Sequence, residues 1–271
     1  MHLGWRWGVR VCGMLALCGG LLAPVVGAAA ASQLDKVRAS KTLRVCIWPD
    51  YYGLSFRNPK SGVLSGLDTD MAREFARDLG VTLQFVDTTF GRFIEDLDGD
   101  RCDIAMMGVA VTPQRVEKLA LSRPYLRGDV YAVTTRHNTR VRSWQDIDRP
   151  GTRVAVLAGT YHEPLMRERL QQAELVVIVP PRTREAELEA GRVDVFMSDF
   201  PFTRKMRDNH DWVRVFAPPT PYFMVNAAYA VKQGDSAWLQ RVDAFVSAIR
   251  ADGRLLAAAQ RYGLEPMMIK D

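Results

Sequence analysis

The sequence predicts an α/β protein of two lobes joined by a hinge made of two chain segments. Three observations point there. Short runs rich in Val and Ile alternate with helical stretches through residues 43–107, and a second alternating series fills residues 153–197. An extended run at residues 229–231, followed by two helical stretches, reads as the chain's return to the first series. The expected organisation is residues 1–30 as a leader, 38–128 with 227–271 as lobe 1, 131–222 as lobe 2, and hinge segments near 126–134 and 220–231.

Each element has its own signal. Residues 43–48 form a buried strand followed by a Pro-Asp-Tyr-Tyr-Gly turn. Asp68 and Thr69 are suited to cap a helix in which Met71, Phe75 and Leu79 recur every four residues beside Ala72 and Ala76, with Gly80 as its stop. Residues 81–86 read as a strand, 90–97 as a short helix ending near Gly99, and 102–107 as a third strand running into Gly108. Strand–helix alternation implies a parallel sheet with right-handed crossovers, and ligands of such sheets bind beyond the carboxyl ends of the strands. The loops at 48–56, 87–91 and 107–115 are therefore the ones to watch.

Residues 130–135 are extended, and Ser143 can cap a short turn. The second series then runs as strand 153–157, helix 161–172, strand 174–179, helix 183–190 and strand 193–197. Helices at 236–250 and 253–262 complete the chain, the first with Trp238, Val242, Phe245 and Ile249 on one apolar stripe. Closure of the lobes about the hinge is the expected motion.

With 271 residues, 48% hydrophobic and 25% charged, the chain can bury a full core. Arg6 and Arg10 precede an almost wholly apolar run at 11–26 and small residues at 26–32, the pattern of a cleaved secretory signal peptide and so of a periplasmic protein. An uncleaved membrane anchor is the alternative, since 11–31 approaches the roughly 20 residues that span a bilayer. Cys12 follows Val11 and Cys18 follows Leu17, which is not the small residue that a lipid-modified cysteine needs.

No Lys/Arg block forms a stripe for nucleic acid, so no nucleic-acid partner is expected. His2, His137, His162 and His210 are scattered, and phosphate loops and a Gly-x-Ser-x-Gly motif are missing, so neither a metal nor a cofactor is expected. An oxidising compartment would permit Cys46 and Cys102 to pair, and a parallel strand order 2-1-3 would make their strands neighbours. Two buried free thiols are the other reading, and both stay open.

Several segments together resemble the periplasmic amino-acid-binding proteins of ABC transporters, the solute-binding family 3 that includes lysine/arginine/ornithine, histidine and glutamine receptors. They are Leu43-Arg-Val-Cys-Ile with Asp50-Tyr51, Ser65-Gly-Leu-Asp-Thr-Asp-Met-Ala72, Arg101-Cys-Asp-Ile-Ala105, Thr112-Pro-Gln-Arg115, Pro124-Tyr125, Gly159-Thr160, Gly191-Arg-Val-Asp-Val195 and Ser198-Asp199. The resemblance covers about residues 40–265 and implies a periplasmic binding protein type II-like fold. It also implies a non-enzymatic monomer that captures a small solute, an amino acid, and delivers it to an inner-membrane ABC permease.

The resemblance implies the site as well. Arg115 would hold the ligand's α-carboxylate, a role its planar, two-pronged guanidinium suits; without the motif it reads as a surface arginine. Thr160 would meet the same carboxylate at the start of a helix, or serve as a plain N-cap. Asp199 would receive the α-ammonium, or cap the helix that begins at Phe200-Pro201. Tyr51 and Phe90 would sandwich the ligand's aliphatic part, with Trp48 and Tyr52 near the same wall.

Gly108 and Ala110, where relatives carry hydroxyl side chains, would offer backbone groups alone. Trp48 stands where receptors for basic ligands carry an acid, so an uncharged or aromatic ligand is expected over lysine or arginine.

Two other readings were weighed. Periplasmic cyclohexadienyl dehydratases share the fold, but their glutamate two residues after Gly-Thr is His162 here, with Glu163 one later. The cysteine pair also resembles accessory or sensory proteins associated with quinoprotein dehydrogenases, which lack the Thr-Pro-x-Arg pattern.

Overall fold

The computed structural model describes residues 1–5, 7–8 and 31–269. The signal peptide expected over residues 1–30 falls mainly outside these.

From α1 (Gln33–Ser40) the chain enters β1 (Thr42–Ile47), then a small antiparallel sheet of β2 (Asp50–Tyr51), β3 (Ser55–Arg57) and β4 (Leu64–Ser65). There follow α2 (Leu67–Leu79), β5 (Thr82–Asp87), α3 (Phe93–Asp98), β6 (Ile104–Ala110), α4 (Pro113–Val116), β7 (Leu119–Leu121) and β8 (Leu126–Gly128). A second series comprises β9 (Val130–Thr135), β10 (Arg153–Leu157), α5 (His162–Arg169), β11 (Glu174–Ile178), α6 (Arg184–Glu189), β12 (Val195–Asp199), α7 (Phe200–Asn209) and β13 (Val213–Phe216). The chain closes with β14 (Val225–Lys232), α8 (Ser236–Ala251) and α9 (Arg254–Tyr262).

Two main sheets result. The first has the order β5-β1-β6-β14-β7, with β8 also paired to β14; the second is β11-β10-β12-β9-β13. In each, one strand is parallel to both its neighbours, β1 to β5 and β6, and β10 to β11 and β12, as expected of strand–helix alternation. The carboxyl ends of both parallel groups feed the loops that build the site described below. Among the described residues no helix is long and apolar enough to cross a membrane.

The first core forms where α2, α8 and α9 lay their apolar faces on the first sheet. Phe75 stacks on Phe245 and Trp238 at centroid distances of 4.5 and 5.5 Å, and the Trp238 indole donates to the Asp103 carbonyl at 2.8 Å. Each such side chain, wholly buried, contributes roughly 1.5–3 kcal/mol.

The chain crosses between sheets twice, at Asp129 and through residues 217–224. The Asp129 carboxylate ties the crossings together by accepting from the amides of Val130, Tyr222 and Phe223 at 2.8, 2.9 and 2.8 Å.

Local expectations shift at several points. Asp68 and Thr69 do not cap α2: the helix starts one residue earlier, behind Gly66 at φ 134°, and both residues are buried in its first turn. A Cβ on Gly66 would lie 2.3 Å from the Leu54 carbonyl oxygen, so only glycine fits that entrance. The return strand is eight residues long and central to the sheet, because Asn226, Ala227 and Ala228 pair with β6 and β8 without β-branched side chains to announce it. Cys46 and Cys102 form a disulfide, with Cα atoms 5.6 Å apart, joining β1 to the approach of β6.

Candidate functional site

Side chains from both sheets meet around a small cavity of about 20 Å³, lined by Trp48, Tyr51, Phe90, Gly108, Arg115, Thr160, Tyr161, His162, Arg184, Asp199 and Phe202. Six of the expected positions, Tyr51, Phe90, Gly108, Arg115, Thr160 and Asp199, are thus brought together. Ala110 is buried but does not line the cavity; its carbonyl instead accepts from Arg115 Nη1 at 3.2 Å.

Arg115 lies on α4, the short helix that Thr112-Pro113 starts just beyond β6. Its guanidinium is 6% exposed, stands over the rings of Phe90 and Phe93 at 5.5 and 5.4 Å, and reaches the second sheet by donating to the Gly159 carbonyl at 3.2 Å. Burial lowers its pKa to about 10. Its hydrogen bonds go to neutral carbonyls, and among the described residues no carboxylate pairs with it.

Asp199 ends β12 and caps α7, accepting from the Phe202 amide at 3.1 Å with one oxygen and from the Tyr51 hydroxyl at 2.6 Å with the other. Cap and cavity wall are therefore one residue. Burial raises its carboxyl, against the opposing hydrogen bonds from Tyr51 and the Phe202 amide. Among the described residues no cation forms a salt bridge with it.

Thr160 does not cap a helix. The α5 N-cap is Tyr161, and the Thr160 hydroxyl donates to the Leu157 carbonyl at 2.7 Å. Gly159, at φ 76°, brings the second sheet's loop onto the first: a Cβ there would lie 2.6 Å from Gly91 backbone atoms. The aromatic wall is Trp48, Tyr51 and Phe90, with mutual centroid distances of 5.4–5.7 Å. Tyr52 turns away, donating to Asp208 at 3.1 Å.

His162 is 2% exposed and, among the described residues, has no hydrogen-bond partner on either ring nitrogen. Burial, then the nearby positive charges of Arg184 and Arg115, lower its pKa to about 3. Glu163 leaves the site, accepting from the Gly159 amide and from Arg167 at 3.2 and 3.1 Å.

Arg184 and Phe202 were not expected at the site. Arg184 follows the carboxyl end of β11, so the strand-end rule applied to the second series would have flagged its loop; Phe202 gave no signal apart from the nearby Asp199.

Two sheets meeting over a cavity lined by groups of opposite charge, with two crossing segments, define a two-lobed solute-binding protein. The sequence matches the model of the bacterial extracellular solute-binding proteins, family 3, over residues 43–153 and 165–265, and the chain belongs to that family. It is 30% identical over 249 residues, 92% of each chain, to the cyclohexadienyl dehydratase of Pseudomonas aeruginosa. It is 25% identical over 230 residues, 84% of this chain and 85% of the relative, to the L-cystine-binding protein of Escherichia coli K12. Among solved structures, an ancestral amino acid-binding protein, a precursor of cyclohexadienyl dehydratase, superposes with a TM-score of 0.77 at 29% identity, covering 85% of this chain and 99% of that one.

These likenesses correct one expectation. The chain was expected not to be an enzyme, yet a relative 30% identical along 92% of its length is a dehydratase, so family membership does not confine the chain to binding.

Proposed function

We propose that the chain captures an α-amino acid outside the cytoplasm, the carboxylate taken by Arg115 beside Thr160 and the ammonium by Asp199, for delivery to an inner-membrane ABC permease. The observation that carries this reading is a buried Arg115 and a partly buried Asp199 facing one cavity from different sheets, neither in a salt bridge among the described residues. Unpaired buried charge is costly, and a zwitterion relieves both ends at once. The cavity of about 20 Å³ is room for about one water molecule, so capture requires the sheets to part, the Tyr51–Asp199 hydrogen bond to open, and closure to follow. The basic start and apolar run of residues 1–30 support export to the periplasm.

A thermal-shift screen of the mature chain against the amino acids tests it. A ligand at 100 times its Kd adds about 2.7 kcal/mol of stability, and Arg115→Ala and Asp199→Ala should each abolish the shift.

Dehydratase activity is the second reading, favoured by the identity to the Pseudomonas aeruginosa enzyme. Its general acid would come from Asp199, whose carboxyl burial raises, since Glu163 is engaged elsewhere and His162 is held neutral. Aromatisation of a cyclohexadienyl acid, followed by ultraviolet absorbance, separates turnover from capture. The Cys46–Cys102 disulfide fits the accessory-protein reading equally well, but the buried Arg115 of the Thr-Pro-x-Arg segment favours a small ligand.

A further inference from the structure

A zwitterion accounts for Arg115 and Asp199 but leaves a third buried charge on the same cavity. Arg184, the first residue of α6, is 3% exposed. It donates from Nη1 to the Met197 carbonyl at 2.9 Å and to the Ser198 hydroxyl at 3.3 Å, both neutral acceptors. Its guanidinium carbon lies 4.3 Å from the Phe202 ring centroid and 5.2 Å from that of Phe196, which fixes the plane of the fork. The acids whose charge reaches it are Glu185, Asp199 and Asp50; Lys205 holds Glu185 and Asp50, at 3.3 and 2.7 Å, and Asp199 lines the same cavity without forming a salt bridge to it, so two guanidiniums share one carboxylate there. Among the described residues no carboxylate forms a salt bridge with Arg184.

Arg184 also faces outward. It lines both the small cavity and an adjoining chamber of about 520 Å³, whose walls include Trp48, Phe90, Leu157, Pro180 and Phe202. A ligand with its α-groups on Arg115 and Asp199 would extend its side chain past Arg184 into that chamber.

We propose that Arg184 determines specificity by binding a second anionic group, so that the preferred ligand is an acidic amino acid whose side-chain carboxylate pairs with this guanidinium. This rests on the amino-acid capture reading and sharpens it. It also replaces the expectation of an uncharged or aromatic ligand, because Arg184 adds a cation that Trp48 alone does not supply. A planar guanidinium already oriented by two rings and two acceptors is suited to a carboxylate and poorly suited to an ammonium or guanidinium side chain.

The test is calorimetric titration of the mature wild-type chain with L-glutamate, L-aspartate, L-glutamine, L-asparagine and L-arginine, repeated with Arg184→Gln. A charge-assisted contact predicts that one acid binds about tenfold or more tighter than its own amide. Arg184→Gln should bring that ratio close to one. Amide or arginine binding as tight as the acid's in the wild-type chain would overturn the proposal, even if the variant failed to fold. So would a folded Arg184→Gln variant that keeps the acid preference. Absence of binding by every amino acid would overturn the capture reading itself, whereas binding without acid preference would overturn the role of Arg184 alone.

Discussion

The Tyr51 hydroxyl donates to the Asp199 carboxylate at 2.6 Å, joining a residue beside the first sheet to the last residue of a strand in the second. This bond occupies the oxygen that a ligand's ammonium would use. A hydrogen bond to a charged group contributes about 1.5–3 kcal/mol, so Tyr51→Phe should shift the unliganded protein toward a more open form. Small-angle X-ray scattering should show a larger radius of gyration for the variant without ligand; an unchanged radius would mean that the bond does not hold the lobes together.

Closure should also depend on Gly159. Its Cβ position lies 2.6 Å from Gly91 backbone atoms, so no side chain fits once the loops meet. Gly159→Ala should keep the fold, leave the lobes further apart at saturating ligand, and weaken binding by about tenfold or more. Scattering with and without ligand reads the first effect and calorimetry the second.

Two buried groups give stability opposite slopes with pH. Burial raises the Asp68 carboxyl to about 7, the hydroxyls of Tyr125 and Tyr229 opposing the rise without reaching hydrogen-bond geometry. The unfolded carboxyl titrates near ~4, so the stability Asp68 supplies is complete below that pH and lost as pH rises through about 7. For His162 the folded value is about 3, below the unfolded ~6.5, so its contribution is complete above ~6.5 and lost as pH falls toward the folded value. Denaturant unfolding between these limits should show Asp68→Asn gaining on the wild type as pH rises and His162→Gln gaining as pH falls.

The disulfide closes a segment with a sequence separation of 56. Chain-entropy arguments assign such a loop up to about 4 kcal/mol. The Cys46→Ala/Cys102→Ala double variant should lose stability on that scale in urea, and the wild-type chain should fall to the same level under reducing conditions.

The legible part of this protein was what local pattern encodes. Short apolar runs marked β1, β5, β6 and β10, and the four-residue spacing of Met71, Phe75 and Leu79 marked the buried face of α2. The Thr-Pro segment led to Arg115, and Ser198-Asp199 to the opposite wall. What stayed hidden depended on tertiary contact. Gly66 starts α2 because Leu54 leaves no room for a side chain, and Thr160 spends its hydroxyl on Leu157 rather than on a helix end. Arg184 joins the site only because Phe202, Phe196 and Met197 gather around it in the fold.

The central claim is that Arg115 and Asp199 hold the two ends of one zwitterion. Calorimetric titration of the wild-type chain, Arg115→Ala and Asp199→Ala with the amino acid giving the largest thermal shift tests it most directly. The account predicts one site in the wild type and a loss of about 100-fold or more in each variant, because each would leave a ligand charge buried without its partner. Binding kept within about threefold in either folded variant would contradict it.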